Sequence, residues 1–263
     1  MSARPAPGAA APGHDGTPVW YAAFGSNLAT ARFRTYLEGG PVPLAGGRVQ
    51  AGARDPSPPA DDVATVLPHR LFFARSSRTW SGGGVAFLDP GPLPGPPPAG
   101  DRIDERATRC RLWLITVGQF ADVFAQENGL PAPPSAAELL AATRAPAGDT
   151  GATGDRGEPA PRPGPFHRER WYGQVVPLGS GPGGHPVLTF TAPTPLPAAR
   201  PAHLSYLQVV GAGLLEAGDL DPGRAAHYLA GRDGNRGVID PEALAAELEP
   251  VAERLARPYR RSP

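Results

Sequence analysis

The sequence predicts an α+β protein, a mixed β-sheet or small barrel of about six strands flanked by helices. Three observations predict it. Short apolar runs, set off by Gly- and Pro-rich turns, recur through the first 192 residues. Two of these runs lead into segments of helical period, at Leu28–Leu37 and Val117–Asn128. The last third of the chain, from Pro201 on, repeats apolar residues at helical spacing.

The first strand is Val19–Phe24, an apolar run that stops at the turn cluster Gly25-Ser26-Asn27. The helix over Leu28–Leu37 follows, with Ser26 or Asn27 as N-cap. Gly39–Pro68 reads as loop, with room for a short strand in Gly47–Gly52. Strands are expected at Arg70–Ala74 and, after Gly82-Gly83-Gly84, at Val85–Leu88. Pro90–Gly100 is a proline-rich connection. Arg109–Thr116 alternates outward arginines with Cys110, Leu112 and Leu114, a strand pattern, and the Val117–Asn128 helix after it stops at Gly129. Pro131–Arg170 is a composition break with one helical piece, Ser135–Thr143. Trp171–Pro177 and Pro186–Ala192 make a hairpin across the Gly179–Gly184 turn. Helices over Pro201–Ala217, Asp221–Ala230 and Pro241–Arg257 complete the chain.

Composition fits this map. Glycine (34) and proline (36) fill about 27 % of the 263 positions, a level that marks loose stretches. Apolar residues are nonetheless 40 % and charged ones 19 %, with Trp20, Trp80, Trp113 and Trp171 spread along the chain, so a folded core is expected. The domain reading is a tail over residues 1–17 and a single domain over 18–257, with flexible insertions near 41–68, 90–105 and 131–168.

Charge names no partner. The 25 basic residues, all arginine, balance 25 acidic ones, so no overall field draws nucleic acid or an anionic membrane. Arginine without lysine, beside abundant Ala, Gly and Pro, suggests a GC-rich bacterial source. The lone Cys110 has no internal disulfide partner and is expected as a small buried strand residue. No apolar run reaches membrane-spanning length and the start lacks a leader's apolar stretch, so the expected location is cytoplasmic.

Two features could carry chemistry. Gly25-Ser26-Asn27, between a buried strand and a helix start, presents backbone N–H groups and two small polar side chains suited to an anion; a plain helix cap explains the same residues. Glu127 stands near a helix C-terminus, where the macrodipole disfavours an acid; taken alone, a solvated carboxylate is the plainer reading. His14, His69, His167, His185, His203 and His227 show no HxxxH or HExxH spacing, Ser26 is outside a GxSxG context, and Gly82-Gly83-Gly84 lacks the Lys-Ser/Thr of a P-loop.

Together these segments resemble a known family. Tyr21–Leu28, YAAFGSNL, is similar to the YFAYGSNL signature of the gamma-glutamylcyclotransferase-like superfamily, which includes gamma-glutamylamine cyclotransferases and plant AIG2-like proteins. In order along the chain, Trp80–Phe87 resembles the family's aromatic-xGG-apolar strand, Leu112–Ile115 its later Trp-bearing strand, and Gln126–Gly129 the helix end that carries its catalytic glutamate. Trp171-Tyr172 and Pro201–Gly218 resemble the segments that follow. The chain departs from the pattern at Phe24, which replaces a tyrosine, and at Asn128, inserted between Glu127 and Gly129.

The resemblance implies an enzyme that releases 5-oxoproline from a small-molecule gamma-glutamyl amine or amide, needing neither cofactor nor metal. Glu127 would be the catalytic acid/base, and Phe24, Gly25, Ser26, Asn27, Leu28 and Tyr172 would bind substrate. A homodimer is the one protein partner expected. Two other readings of the same pocket stay open: a small-molecule binding module without turnover, and a hydrolytic amide deacylase.

Overall fold

The computed structural model describes residues 15–95, 105–144, 169–218 and 220–257. At its centre lies β1 (Pro18–Ala23), buried from Val19 onward. A strand apolar on both sides must be covered on both. Trp20 and Ala22 accordingly join one hydrophobic cluster and Val19, Tyr21 and Ala23 the other, as the two-residue period of a strand requires.

After β1 come α1 (Thr30–Glu38), a two-stranded ribbon of β2 (Gly40–Pro41) and β3 (Val49–Gln50), and the long β4 (Asp61–Ala74). β5 (Val85–Pro92) and β6 (Ala107–Thr116) lead into α2 (Val117–Asn128) and α3 (Ala136–Arg144). β7 (Gln174–Ser180), β8 (Pro186–Thr191), α4 (Leu204–Glu216), α5 (Pro222–Ala230) and α6 (Pro241–Ala256) follow. The six main strands form one mixed sheet in the order β5-β4-β6-β1-β8-β7, with β1 antiparallel to β6 and parallel to β8. The sheet curls toward closure. Thr191 of β8 donates its hydroxyl to the Leu88 carbonyl of β5 at 2.6 Å and accepts the Leu88 N–H at 3.0 Å.

Helices cover both faces. Phe33 and Leu37 of α1, Phe120, Val123 and Phe124 of α2, and Leu139 of α3 pack with Tyr21. Leu207 and Val210 of α4, Leu229 of α5 and Leu244 and Leu248 of α6 pack with Trp20. Burying one such side chain contributes about 1.5 to 3 kcal/mol, so three phenylalanines suffice to fix α1 and α2 against the sheet. The ends of α2 are set locally. Thr116 and Gln119 exchange side-chain bonds with each other's backbone N–H, both at 3.1 Å, a capping box, and Gly129 closes the helix at φ 58°. Both signals locate Glu127 in the last turn.

Several expected boundaries move, each for a physical reason. β4 begins at Asp61, inside the segment read as loop. Its first residues pair with β6 but stay exposed, so no apolar alternation marks them. Pro68 falls where the register shifts between Leu67 and Arg70, a bulge that tolerates a missing N–H. β7 begins at Gln174 rather than Trp171, because Asn128 of α2 takes the Tyr172 backbone N–H and carbonyl instead. α4 begins at Leu204 rather than Pro201. The His203 ring caps it by accepting the Ser205 N–H, while the Pro201 carbonyl and the Ala202 N–H serve Gly84 and Asn235.

Arg111 does not point outward. It is 8 % exposed, with Nε 2.7 Å from Asp62, an Nη 3.2 Å from Glu216, and its guanidinium 3.9 Å above the Trp113 ring. Cys110 is the buried strand residue expected, and burial pushes its thiol well up. Most of the expected tail (1–14) and parts of two expected insertions (96–104 and 145–168) lie outside the described residues. No helix among the described residues is long and apolar enough to cross a membrane.

Candidate active site

The site begins where β1 ends. Ser26–Leu28 makes a single 3-10 turn, and α1 starts after it with Ala29 at the N-cap and no side-chain cap. The Thr30 N–H is received by Glu216 at 2.8 Å. Neither Ser26 nor Asn27 therefore serves as the cap. Asn27 turns inward: its Nδ2 donates to the Tyr21 hydroxyl at 3.1 Å and to Glu127 Oε1 at 3.2 Å. Its backbone is fixed as well, since Trp113 Nε1 donates to the Asn27 carbonyl at 2.9 Å. Two residues a hundred positions apart are thus joined by one hydrogen bond.

Glu127 is half-buried and faces the hydroxyls of Tyr21, Tyr36, Tyr172 and Tyr206. Burial pushes the first three far above the usual tyrosine range and Tyr206 up to about 12, and the Glu127 charge adds to each rise. All four phenols are held protonated, as hydrogen-bond donors. Arg32, 5 % exposed, supplies the buried positive charge. Four residues before Tyr36 on α1, it donates to the Tyr36 hydroxyl and to Thr35 Oγ1, with its guanidinium 4.1 Å over the Tyr36 ring.

These groups wall a cavity of about 360 Å³, within the range of small-molecule sites. Phe24, Gly25, Ser26, Asn27, Glu127 and Tyr172, six of the seven residues expected at the site, line it. Leu28 does not. It is 1 % exposed and packed in the core beneath α4, where a Cβ on Gly213 would come within 2.4 Å of it. The 3-10 turn sends its third side chain away from the cavity. Phe24 contributes a bare ring without a hydroxyl. Tyr172 is held twice, by Asn128 on its backbone and by its hydroxyl donating to the Ala86 carbonyl at 3.0 Å, with its ring stacked 4.8 Å from Phe87. Asn128, the extra residue after Glu127, is the strut that places Tyr172.

Sequence reasoning missed Tyr21, Arg32, Tyr36 and Tyr206. Arg32 and Tyr36 carried a signal in their four-residue spacing on one helix. Tyr206 had none, because only the folded chain brings α4 to the end of β1. Among the described residues, no group of three or more His, Cys, Asp or Glu side chains is placed so that it could hold a metal ion.

No family model matches the chain. It is 35 % identical over 222 residues to a protein of Arabidopsis thaliana named Histone deacetylase 5. That match covers 80 % of this chain but 30 % of the relative, so the chain spans less than a third of its length. Among solved structures, a gamma-glutamyl cyclotransferase superposes with a TM-score of 0.43 and 14 % identity, over 91 % of this chain and 99 % of that one. An uncharacterized Homo sapiens protein gives 0.43 and 15 %, over 90 % and 98 %.

Proposed function

We propose that the chain is a member of the gamma-glutamylcyclotransferase-like superfamily and that this cavity releases 5-oxoproline from a small gamma-glutamyl amine or amide in the cytoplasm. The observation that carries the reading is the Asn27–Glu127 contact inside the cavity. It joins the Gly-Ser-Asn turn to the one carboxylate that the sequence pattern singles out.

The chemistry suits the residues. The substrate's own α-amine is the nucleophile, so the protein need only orient it and move a proton. Glu127 takes a proton from the α-ammonium; the freed amine attacks the γ-carbonyl carbon and the ring C–N bond forms. When the tetrahedral centre collapses, the bond to the departing nitrogen breaks and Glu127 returns the proton to it; the ring nitrogen gives up the second of its ammonium protons, which the released amine takes. The products are 5-oxoproline and the amine as its ammonium, and no water is consumed. Asn27 holds Oε1 and so fixes the carboxylate against the ammonium. Orienting amine and carbonyl is worth up to about 7 to 11 kcal/mol in model reactions, and the proton shuttle roughly 10² to 10⁴ in rate.

A second reading, hydrolytic amide deacylation in the same cavity, is favoured by the name of the Arabidopsis relative. One experiment separates the two. The purified protein is incubated with gamma-glutamyl amines, amides and amino acids and with an N-acetyl-lysine peptide, in oxygen-18 water. Release of unlabelled 5-oxoproline supports cyclisation, whereas a linear acid carrying the label supports hydrolysis.

A further inference from the structure

Tyr206 is the third residue of α4 and 3 % exposed, yet its hydroxyl borders the cavity. Its ring is wedged, 5.1 Å from the Trp80 ring and edge-on to Phe73 at 6.2 Å, so the hydroxyl has one position. There the phenol oxygen accepts the Ala86 N–H at 3.1 Å, and the Ser26 N–H of the turn faces the same oxygen. With two backbone N–H groups facing the oxygen, its own proton is what it has left to offer. None of the described residues accepts that proton. By contrast, Tyr172 spends its own on the Ala86 carbonyl.

We propose that Tyr206 is a catalytic residue, its O–H donating to the γ-carbonyl oxygen of the substrate as that oxygen becomes negative. The assignment rests on the cyclisation proposed above and changes one part of it. The Ser26 N–H, expected to meet the substrate directly, acts through the Tyr206 hydroxyl. Two backbone dipoles point at the phenol oxygen and polarise its O–H toward the cavity. As the α-amine bonds to the γ-carbon, the carbonyl π electrons move onto oxygen and Tyr206 stabilises them by hydrogen bonding. On collapse the pair returns, the C=O reforms and the leaving nitrogen departs with the proton from Glu127. Tyr206 keeps its proton throughout, and burial, which places its ionisation near 12, keeps it there at working pH.

The test compares wild type with Tyr206→Phe and with a ring-fluorinated tyrosine introduced at position 206, on the gamma-glutamyl compound that the wild type cyclises best. Tyr206→Phe is expected to lower kcat roughly 10² to 10³-fold, the usual loss for one oxyanion donor, with KM little changed. The fluorinated ring keeps the shape but ionises at lower pH, so it is expected to create a loss of kcat at alkaline pH that wild type lacks. That second readout holds even if Tyr206→Phe folds poorly. A wild type active on gamma-glutamyl compounds, with near-normal kcat in Tyr206→Phe or no new alkaline loss in the fluorinated protein, overturns the Tyr206 assignment alone. A wild type that cyclises none of them overturns the function on which it rests.

Discussion

The Tyr206 hydroxyl stands 2.8 Å from the point that a Cβ on Gly25 would occupy, with the Ala86 Cβ 3.3 Å from the same point. Real Cβ atoms do not approach that closely, and Tyr206 cannot yield because Trp80, Phe73 and Ala86 hold it. Gly25 has φ −114° and ψ −143°, so the turn needs glycine for space rather than for left-handed backbone. Gly25→Ala is expected to cost about 1 to 3 kcal/mol, as overpacking does. Thermal unfolding of the double mutant with Tyr206→Phe tests the cause: removing the hydroxyl should recover part of the loss, a coupling of roughly 0.5 to 3 kcal/mol.

Asn27 holds Glu127 from one side and Tyr21 from the other. A hydrogen bond to a charged group is worth about 1.5 to 3 kcal/mol, so Asn27→Ala should lower kcat roughly 10 to 100-fold. Steady-state kinetics beside a melting curve separate this from misfolding. The variant is expected to keep a near-native melting temperature, because the Trp113 bond goes to the Asn27 backbone.

Much of this was legible beforehand, and the misses share a cause. β1, β5, β6 and α2 announced themselves because each buries an apolar face with its own period or ends on a Gly or Pro signal. Glu127 and the Gly25–Asn27 turn stood out only as a pattern in order along the chain; either alone had a plainer explanation. The start of β4 is not legible because Asp61–Ala64 is exposed on both faces and so has no apolar alternation to read. Strand parity points Arg111 outward, but Asp62 and Glu216 arrive from β4 and α4, elements distant in sequence, and draw it in. Tyr206 and Asn128 were hidden for the same reason, since their partners belong to other parts of the chain.

Arg111 binds three elements: Asp62 of β4, Glu216 of α4, and the Leu28 carbonyl and Thr30 hydroxyl beside α1. Arg111→Ala should destabilise by about 3 to 5 kcal/mol, because Glu216, 14 % exposed, is left without its cation. The exposed Arg34–Glu38 pair is the control; breaking it should cost at most about 1 kcal/mol. Denaturant titrations of both variants check the contrast.

Alkaline pH should unfold the protein steeply. Burial raises the ionisation of Tyr21, Tyr36, Tyr172, Tyr206 and Tyr228, the last two to about 12, so the folded protein holds these protons more tightly than the unfolded chain. Unfolded tyrosines ionise near pH 10. The stability from this source is intact below that pH and falls as pH rises through the folded-state values, by up to about 1.4 kcal/mol per pH unit for each proton. Tyrosinate absorbance and far-UV circular dichroism, followed together above pH 10, should change in one step. Tyrosinate appearing well before loss of structure would show the phenols to be accessible.

Glu127 moves the proton while the turn and the tyrosines hold the substrate, and Glu127→Gln tests this most directly. Glutamine keeps the size and an acceptor for Asn27 but cannot take and return a proton. Single-turnover release of 5-oxoproline should fall roughly 10² to 10⁴-fold, while calorimetry shows the same gamma-glutamyl compound still binding the folded variant. A Glu127→Gln protein that releases 5-oxoproline at near wild-type rate would contradict the account and reduce Glu127 to a carboxylate at the end of a helix.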